Sequence, residues 1–600
     1  MNTHARSYWI PIVAMLVSVL LTACGGGGGG GSVGISCGTP SSATLPVTHI
    51  TASAISTATT WKAANVYVLD NSVTLTAPLT IEPGAVIKFA TGVPGGTNLT
   101  VNTGGSITAS GGSGGSIVFT SAADDSVGGD SNADGTATSA AKGDWGKIVL
   151  NASGSTFQCA RFAYGGKTDS TLQIGGSYAN SASIKYSTFM HNNGGNSSKT
   201  IVYSTDALGA LDAGFAAAPT VITNNIFYDN IVPLSISGQF SVDDSNVFHN
   251  PSASATKNKY NGIFLVGNSY KAINGAITFA ETEVPYVLAG VIDIPDGSQL
   301  TLGDDVIVKF FSSQDTLNTN YNGNGGTNTT AKLIANASSG HRIVFTSYKD
   351  DDISHGGDTN GDGTASSAAA GDWAEIVLNA DGSSFDRSEF YYGGWDTAHP
   401  ETLSLTTYSA TVKDSIFAHN MGGDVANVPF VYGALDASQA KSSTAITGNA
   451  FYDNTIPLVM SGKFSLDDSN VFHDPANMAT TNTYNGIFFT GNSANSITNI
   501  TLSETEVPFG IVGDIYVTTG NTLTLGNNVV FKFGSGSQLT FDDSNNYSFG
   551  SNVVFTSLSD DTHLGDTNGN VSFSSWNGVR DASSAWITNT LGVTVSGNLH

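Results

Sequence analysis

A chain that repeats itself at a fixed distance must fold as copies of one unit, and this chain repeats itself over most of its length. DDSNVFH occurs at 243–249 and 467–473, ETEVP at 281–285 and 504–508, and YNGIF at 260–264 and 484–488. GALDA occurs at 209–213 and 433–437, and FYDN at 227–230 and 451–454. Every pair is offset by 223 or 224 residues. The repetition divides the chain into a first module at 45–280, a second at 281–503 and a partial third at 504–600.

A shorter beat runs inside each module. LTIEPGAVIKFATG, GSIVFTS, GDWGKIVLNASG and ITNNIFYDN are short alternating apolar runs punctuated by Gly, Asn or Asp. Alternation of period two means strands, and a break about every 20–25 residues means turns. No stretch carries a helical moment, and the many Thr, Val, Ile, Phe and Tyr residues favour strands. A propeller needs blades of about 40 residues with four strands each, and that period is absent. The amides of NNIFYDN fit coiled turns whose Asn side chains stack from one turn of a solenoid to the next.

LTIEPGAVIKF (79–89), LTLGDDVIVKF (300–310) and LTLGNNVVFKF (523–533) are each followed by VFTS and, in the two full modules, by a loop ending in Gly-Asp-Trp. These segments resemble bacterial extracellular right-handed parallel β-helix proteins, whose fold is that of the pectin-lyase superfamily. The resemblance covers nearly all of 45–600. It implies an all-β fold, a right-handed parallel β-helix solenoid built from duplicated modules of about 224 residues. At about 4.8 Å per turn, about 25 turns make a rod on the order of 120 Å long. The fold hosts enzymes, adhesins and structural rods alike, so it implies architecture and leaves activity open.

The N-terminus carries a targeting segment. Arg6 precedes the apolar run IPIVAMLVSVLL, which is short for a bilayer span. The run ends in Leu21-Thr22-Ala23-Cys24, which resembles a bacterial lipoprotein signal. The resemblance implies removal of residues 1–23, lipidation of the Cys24 thiol and a membrane partner through that anchor. Gly25 rather than Asp after the lipidated cysteine points to the outer membrane, facing the periplasm or the cell exterior. GGGGGGGS at 25–32, within the segment 24–44, reads as a flexible tether; its reach is roughly 15 Å. An exported chain permits a disulfide, and Cys37 and Cys159 are the candidate pair. The counterpart of Cys159 in the second module is Arg387, so the pair stands outside the repeating plan.

Formal net charge is −26, with 22 Lys and Arg against 48 Asp and Glu. No basic stripe is present to meet phosphates, which argues against a nucleic-acid partner. The acidity suits an exported chain that meets divalent cations.

GGDSNADGTATSAAKGDW (128–145) and GGDTNGDGTASSAAAGDW (356–373) differ at four positions. The spacing D-x-N-x-D-G-T matches the first half of an EF-hand loop, where alternate residues of a tight turn aim oxygens at one hard cation such as calcium. The candidate ligands are Asp130, Asn132, Asp134 and the Thr136 carbonyl in the first module, and Asp358, Asn360, Asp362 and the Thr364 carbonyl in the second. Position twelve is Ala141 or Ala369 and the flanking helices are missing, so this is not an EF-hand. Asp144 and Asp372 of Gly-Asp-Trp are candidates for the missing carboxylate, and Asp124, Asp125 and Asp350 to Asp352 lie just upstream. The third copy has Asn570 and Val571 and no Asp before Trp576, so weaker binding is expected there. The competing reading is an Asx-turn loop in a Gly-, Asp- and Asn-rich chain. Trp145 and Trp373 read as packing residues rather than sugar platforms.

Paired acids, as in glycosidases, occur at Asp243-Asp244 and Asp467-Asp468. They lie in a duplicated motif, as do His191 and His419 and again His249 and His473, so a catalytic reading demands two equal sites and a repeated turn is the simpler account. No lyase-like signature surrounds Arg161, Arg342 or Arg387, and no catalytic residue is assigned. The expected protein is a lipid-anchored envelope or cell-surface β-helix rod with a binding, adhesion or structural role, taking a polysaccharide or cell-surface ligand and stabilised by calcium. The alternative is a calcium-dependent polysaccharide lyase or glycoside hydrolase of the same fold. The loop GGWDTAHPETLSLTTY (393–408) and its counterpart from Lys167 to Gly176 are the expected seats of specificity.

Overall fold

The computed structural model describes residues 35–176, 178–195, 208–266, 273–321, 330–395, 400–423, 432–490, 496–543, 546–569, 575–580 and 593–595. The targeting segment 1–23, Cys24 and the glycine run lie outside the described residues. The chain from Cys37 onward is one compact unit.

That unit is a parallel β-helix solenoid. Each regular turn lays down three short strands, and each strand pairs in parallel with its counterpart one turn later. Val66–Leu69, Val73–Leu75 and Pro78–Ile81 pair in this way with Val86–Phe89, Leu99–Val101 and Ser106–Ser110. Alternation sends Leu79 and Ile81 inward and leaves Pro78 and Thr80 outside. Among the named strands the antiparallel pairs are two small hairpins, His249–Asn250 with Ala253–Lys257 and His473–Asp474 with Asn477–Thr481. Among the described residues no helix is long and apolar enough to cross a membrane.

Like residues stack on like along the core. Phe119, Phe162, Phe189, Phe227 and Phe248 form a column with successive ring centroids 5.0, 4.6, 5.1 and 5.2 Å apart. The second module repeats it with Phe345, Phe390, Phe417, Phe451 and Phe472 at 5.0, 4.5, 5.1 and 5.3 Å. Buried amides stack beside them. Asn420 Nδ2 donates to Asn454 Oδ1 (3.0 Å), and Asn454 Nδ2 donates to Asn482 Oδ1 (2.8 Å) and to the Phe417 carbonyl (2.8 Å). Asn192, Asn230 and Asn258 do the same in the first module. The ladder satisfies backbone groups that the sharp corners leave without strand partners.

The modules share sheets, and the junctions shift them. One 14-stranded sheet runs from Ala54–Ile55 to Ala450–Tyr452. Up to Leu234–Ile236 it consists of second strands of the turns of module one. Ile263–Val266 then pairs with Tyr286–Ala289, and from there the sheet carries first strands of module two, such as Ile307–Phe310 and Ile343–Ser347. The 11-stranded sheet repeats the exchange, passing from Leu458–Met460 through Ile487–Thr490 to Phe509–Val512. Each junction therefore moves the repeat by one face. The Asp-rich loop joins a first to a second strand in each module. The first loop enters the 14-stranded sheet ahead of Ile148–Leu150, and the second leaves it after Ile343–Ser347. Because the strands run parallel, the two loops lie at opposite edges of that sheet. Seven strand positions separate them, roughly 34 Å.

At each junction an ETEVP motif buries a carboxyl. Glu281 Oε1 accepts the Glu283 N–H (3.0 Å) and Glu504 Oε1 accepts the Glu506 N–H (2.8 Å), while both Oε2 atoms are buried without a partner. Burial pushes each up to about 8 from 4.5. The folded state therefore holds extra protons, and the stability these groups contribute is full below about pH 4.5 and is lost as pH rises through about 8. The double variant Glu281→Gln, Glu504→Gln is expected to melt higher than the parent at pH 8.5 and equally at pH 4, measured by thermal unfolding. Asn454→Ala takes the acceptor from Asn420 and the donor from Asn482 in its ladder. It is expected to lower stability by about 2–3 kcal/mol, read as an earlier chemical-denaturation midpoint.

Candidate functional site

Each Asp-rich loop is built over a buried lysine. Lys88 sits in Val86–Phe89 with its side chain outside the core but under the loop, fully buried. Its ammonium donates to the carbonyls of Asp124 (2.7 Å) and Gly129 (2.7 Å). Lys309 does the same with Asp350 (2.5 Å) and Gly357 (2.7 Å). Lys532 donates to the Gly565 carbonyl (2.6 Å) and Thr567 Oγ1 (2.9 Å). Burial lowers all three, Lys309 and Lys532 to about 8, against the pull of nearby aspartates. An internal cation thus closes the base of the loop. The sequence signal was present as VIKF, IVKF and VFKF, three apolar runs interrupted at the same place.

Above the lysine, the carboxylate oxygens of Asp125, Asp130 and Asp134 lie within 4.8 Å of one another. Asp125 Oδ1 and Asp134 Oδ1 are buried without a hydrogen-bond partner, and so is Asp351 Oδ1 in the second module. Burial first, then the charge of Asp130, raises Asp125. Burial, then Asp358 and Asp362, raises Asp351. Clustered hard oxygen donors with unsatisfied lone pairs fit a divalent cation such as calcium. Asp130 and Asp134 thus meet Asp125, with Asp358, Asp362 and Asp351 as their counterparts. Asn132 donates to Asp134 Oδ2 (2.9 Å) and Thr138 Oγ1 (3.1 Å) and so braces the turn, as Asn360 does in the second copy with Asp362 (3.2 Å) and Ser366 (3.1 Å). Thr136 and Thr364 are exposed.

Asp144 and Asp372 work elsewhere. Asp144 Oδ2 accepts Ser121 Oγ (2.7 Å) and the Ala141 N–H (3.0 Å). Asp372 Oδ2 accepts Ser347 Oγ (2.8 Å) and the Ala369 N–H (3.0 Å), and its Oδ1 takes Lys349 Nζ (2.6 Å). Both tie the return of the loop to the strand that launched it. Trp145 and Trp373 follow them into the core, stacked on Phe89 and Phe310 at 4.0 and 4.1 Å. In the third copy Asp566 Oδ1 accepts the Asn568 and Gly569 N–H groups, and Asn570 and Val571 lie outside the described residues.

A second duplicated feature lies at the corner that follows each first strand. Successive turns place Tyr164 (φ 64°), His191 (56°) and Asp229 (51°) in the left-handed region, and module two places Tyr392 (66°), His419 (59°) and Asp453 (51°) there. Left-handed backbone costs an L-residue about 1–2 kcal/mol, and a bulky Tyr is seldom found there. The side chains form a half-buried ridge. His191 stacks on Tyr164 (5.5 Å) and meets Tyr228 edge-on (5.7 Å), and its Nδ1 contacts Asp229 Oδ2. His419 stacks on Tyr392 (5.5 Å), meets Tyr452 edge-on (6.0 Å) and contacts Asp453 Oδ2. Burial would raise Asp229, but hydrogen bonds from Lys142 and His191 outweigh it and hold the carboxyl low. Module two has Ala370 in place of Lys142, and Asp453 is 57% exposed. Repetition had argued against these histidines as catalytic residues, and the shared corner that gathers them with tyrosines was not visible in the sequence.

The remaining sequence candidates hold turns. Asp243 Oδ1 caps the Ser245 N–H, while Asp244 Oδ1 accepts the Thr282 N–H (2.9 Å) and Oγ1 (2.8 Å), so the two acids serve different turns. Asp467 and Asp468 repeat this with Ser469 and Thr505. His249 and His473 contact Glu283 and Glu506 at 2.6 Å. Cys37 and Cys159 form a disulfide with Cα atoms 5.4 Å apart. Of the segment 393–408, residues 396–399 lie outside the described residues, and Leu403–Leu405 is a core strand paired with Glu375–Leu378. Comparison with protein-family models, curated proteins and solved structures returned no match.

Lys309→Met removes both loop-closing hydrogen bonds. The expected result is faster protease cleavage within 348–374 with an unchanged far-UV CD spectrum, measured by limited proteolysis and mapping of the fragments.

Proposed function

We propose that this protein is an exported β-helix, anchored in the outer membrane by a lipid on Cys24, that binds a polysaccharide or another cell-surface ligand. The observation that carries the reading is the duplicated Tyr-His-Tyr ridge with its carboxylate. Aromatic faces beside hydrogen-bonding groups suit sugar rings, which are apolar on their faces and polar at their rims. Display on a rigid solenoid above a glycine tether accords with the signal-like segment ending at Cys24. Calcium at Asp125, Asp130 and Asp134, and at Asp351, Asp358 and Asp362, would fix the loops and stabilise the body.

Binding is tested by retention of the chain from Ser32 onward on immobilised acidic and neutral polysaccharides, with chain length of the polymer followed in parallel. Retention without shortening is expected, and Tyr164→Ala, His191→Ala, Tyr392→Ala and His419→Ala together, which remove both copies of the ridge, should weaken it at least tenfold. Shortened polymer would instead make the protein a polysaccharide-degrading enzyme.

Calcium is tested by melting. At about 100 times its dissociation constant a ligand stabilises the folded state by about 2.7 kcal/mol. The parent is expected to melt higher in calcium than in chelator. The double variant Asp125→Asn, Asp351→Asn should lose that gain yet melt no lower than the parent in chelator, because it removes like-charge repulsion.

A further inference from the structure

Pro78, Ser106, Ser153 and Ala217 of module one, none of them charged, align with Gln299, Lys332, Asp381 and Lys441 of module two. Strand register fixes the alignment. Pro78 is paired with Ser106, and Gln299 with Lys332, at the start of third strands on adjacent turns. Asp381 lies at the next corner, two residues before the strand Ser383–Asp386.

The replacements meet in space. Gln299, Lys332 and Asp381 line one groove of 440 Å³, with Ser298 and Thr330 in its wall. That volume lies in the range of sites for small organic molecules. A Cβ at Gly382 would stand 3.2 Å from Lys332 Cε and 3.7 Å from Nζ, so the lysine lies along the Gly382 backbone, beside Asp381. At Gly154, the counterpart of Gly382, the same space is empty. Both oxygens of Asp381 are engaged. Oδ2 takes Lys441 Nζ (2.6 Å), and Oδ1 accepts the Ser409 N–H (2.8 Å) and hydroxyl (3.0 Å). Lys441 also lies 4.7 Å over the Tyr408 ring. Asp296, outside the lining, accepts the Thr330 N–H (2.6 Å) and hydroxyl (3.0 Å). Lys332 is left over. Among the described residues its ammonium has no hydrogen-bond or ion-pair partner, whereas Lys413, two turns on in the same sheet, pairs with Asp386 and Asp414.

We infer that this groove of module two binds a small hydroxylated ligand through an oxyanion group set against the Lys332 ammonium. The inference does not rest on the aromatic ridge, which lies at the corner after the first strands. Lys441 neutralises Asp381, so the uncompensated charge among the lining residues is that of Lys332. A lysine ammonium acts as a point charge with three donors and accepts any oxyanion shape. Gln299 Nε2 donates to Thr301 Oγ1 (3.0 Å), which leaves Oε1 to accept a ligand hydroxyl. The chain as a whole carries a net charge of −26 and repels anions, so saturable anion binding needs a local cation of this kind. Carboxylates, sulfate esters and phosphate esters of sugars share this chemistry.

The test is equilibrium binding by titration calorimetry on the full chain with galacturonate, glucose 6-sulfate, glucose 6-phosphate and, as the neutral control, glucose. At least one of the three anionic sugars should bind once per chain, since module one lacks the lysine, and the tightest of them identifies the oxyanion. Glucose should bind at least tenfold more weakly. Lys332→Ser, which installs the module-one residue, should weaken binding at least about tenfold, the scale of one lost charged hydrogen bond. Lys441→Ala leaves Asp381 as an unpaired carboxylate beside the groove and should weaken binding as well, and it decides the matter if Lys332→Ser does not fold. Lys185→Ser, on the outer side of a third strand in module one, should leave binding unchanged. Binding by none of the anionic sugars, equal binding of glucose, or equal effects of Lys332→Ser and Lys185→Ser would overturn the assignment. The ridge variant with four alanines should keep this binding, so the ridge and the groove can each fail alone.

Discussion

Registered stacking of each turn on the one before it is the constraint on which the rest depends. A single turn has three strands of three to five residues and cannot bury its own apolar side or satisfy its own backbone. Both needs are met by the neighbouring turns, so the side chain above each residue is its counterpart one turn on. Phenylalanine stacks on phenylalanine, as Phe162 on Phe189, and amide on amide, as Asn192 on Asn230, 38 residues apart in the chain. The corners follow the same rule, and left-handed residues recur at two corners, Tyr164, His191 and Asp229 at one and Cys159, Tyr186 and Asn224 at another, because each turn must bend where its neighbour bends.

The Asp-rich loops leave this order and are held by charge. Their base is a lysine taken out of water, which is tolerable because two carbonyls and several aspartates surround it. The loops in turn cover apolar side chains on the outer surface of the first strands, such as Val66, Val86 and Val118 beneath Val127. Loop and sheet are therefore mutually dependent. The acidic cluster at the top is the price of an exposed bend, and a divalent cation would remove its repulsion.

Duplication produced near-identical modules with unequal surroundings. The shift by one face at each junction puts equivalent loops on opposite edges of a shared sheet, so the two Asp-rich loops lie too far apart to share one cation. The same divergence shows in side chains. Lys142 holds Asp229 in module one and Ala370 leaves Asp453 open in module two. Lys147 donates to Gln173 in module one, and the aligned positions in module two are Glu375 and Ser404.

The sequence by itself determined the repeat length, the all-β character, the stacked amides of NNIFYDN and the position of the Asp-rich loops, because a solenoid writes each turn locally and repeats it. Burial of Trp145 and Trp373 was legible for the same reason. Only the tertiary structure decided which aspartates meet, since Asp125 comes from the loop entrance and Asp144 turns back to Ser121. It alone gave Lys88 and Lys309 their work and gathered Tyr392, His419 and Tyr452 at one corner. The physical reason is that strand periodicity fixes which side of a sheet a residue takes, while its partners lie on turns 19 to 87 residues away in the sequence. Register between turns, and the slip of that register at each junction, is set by how whole modules pack and has no local signature.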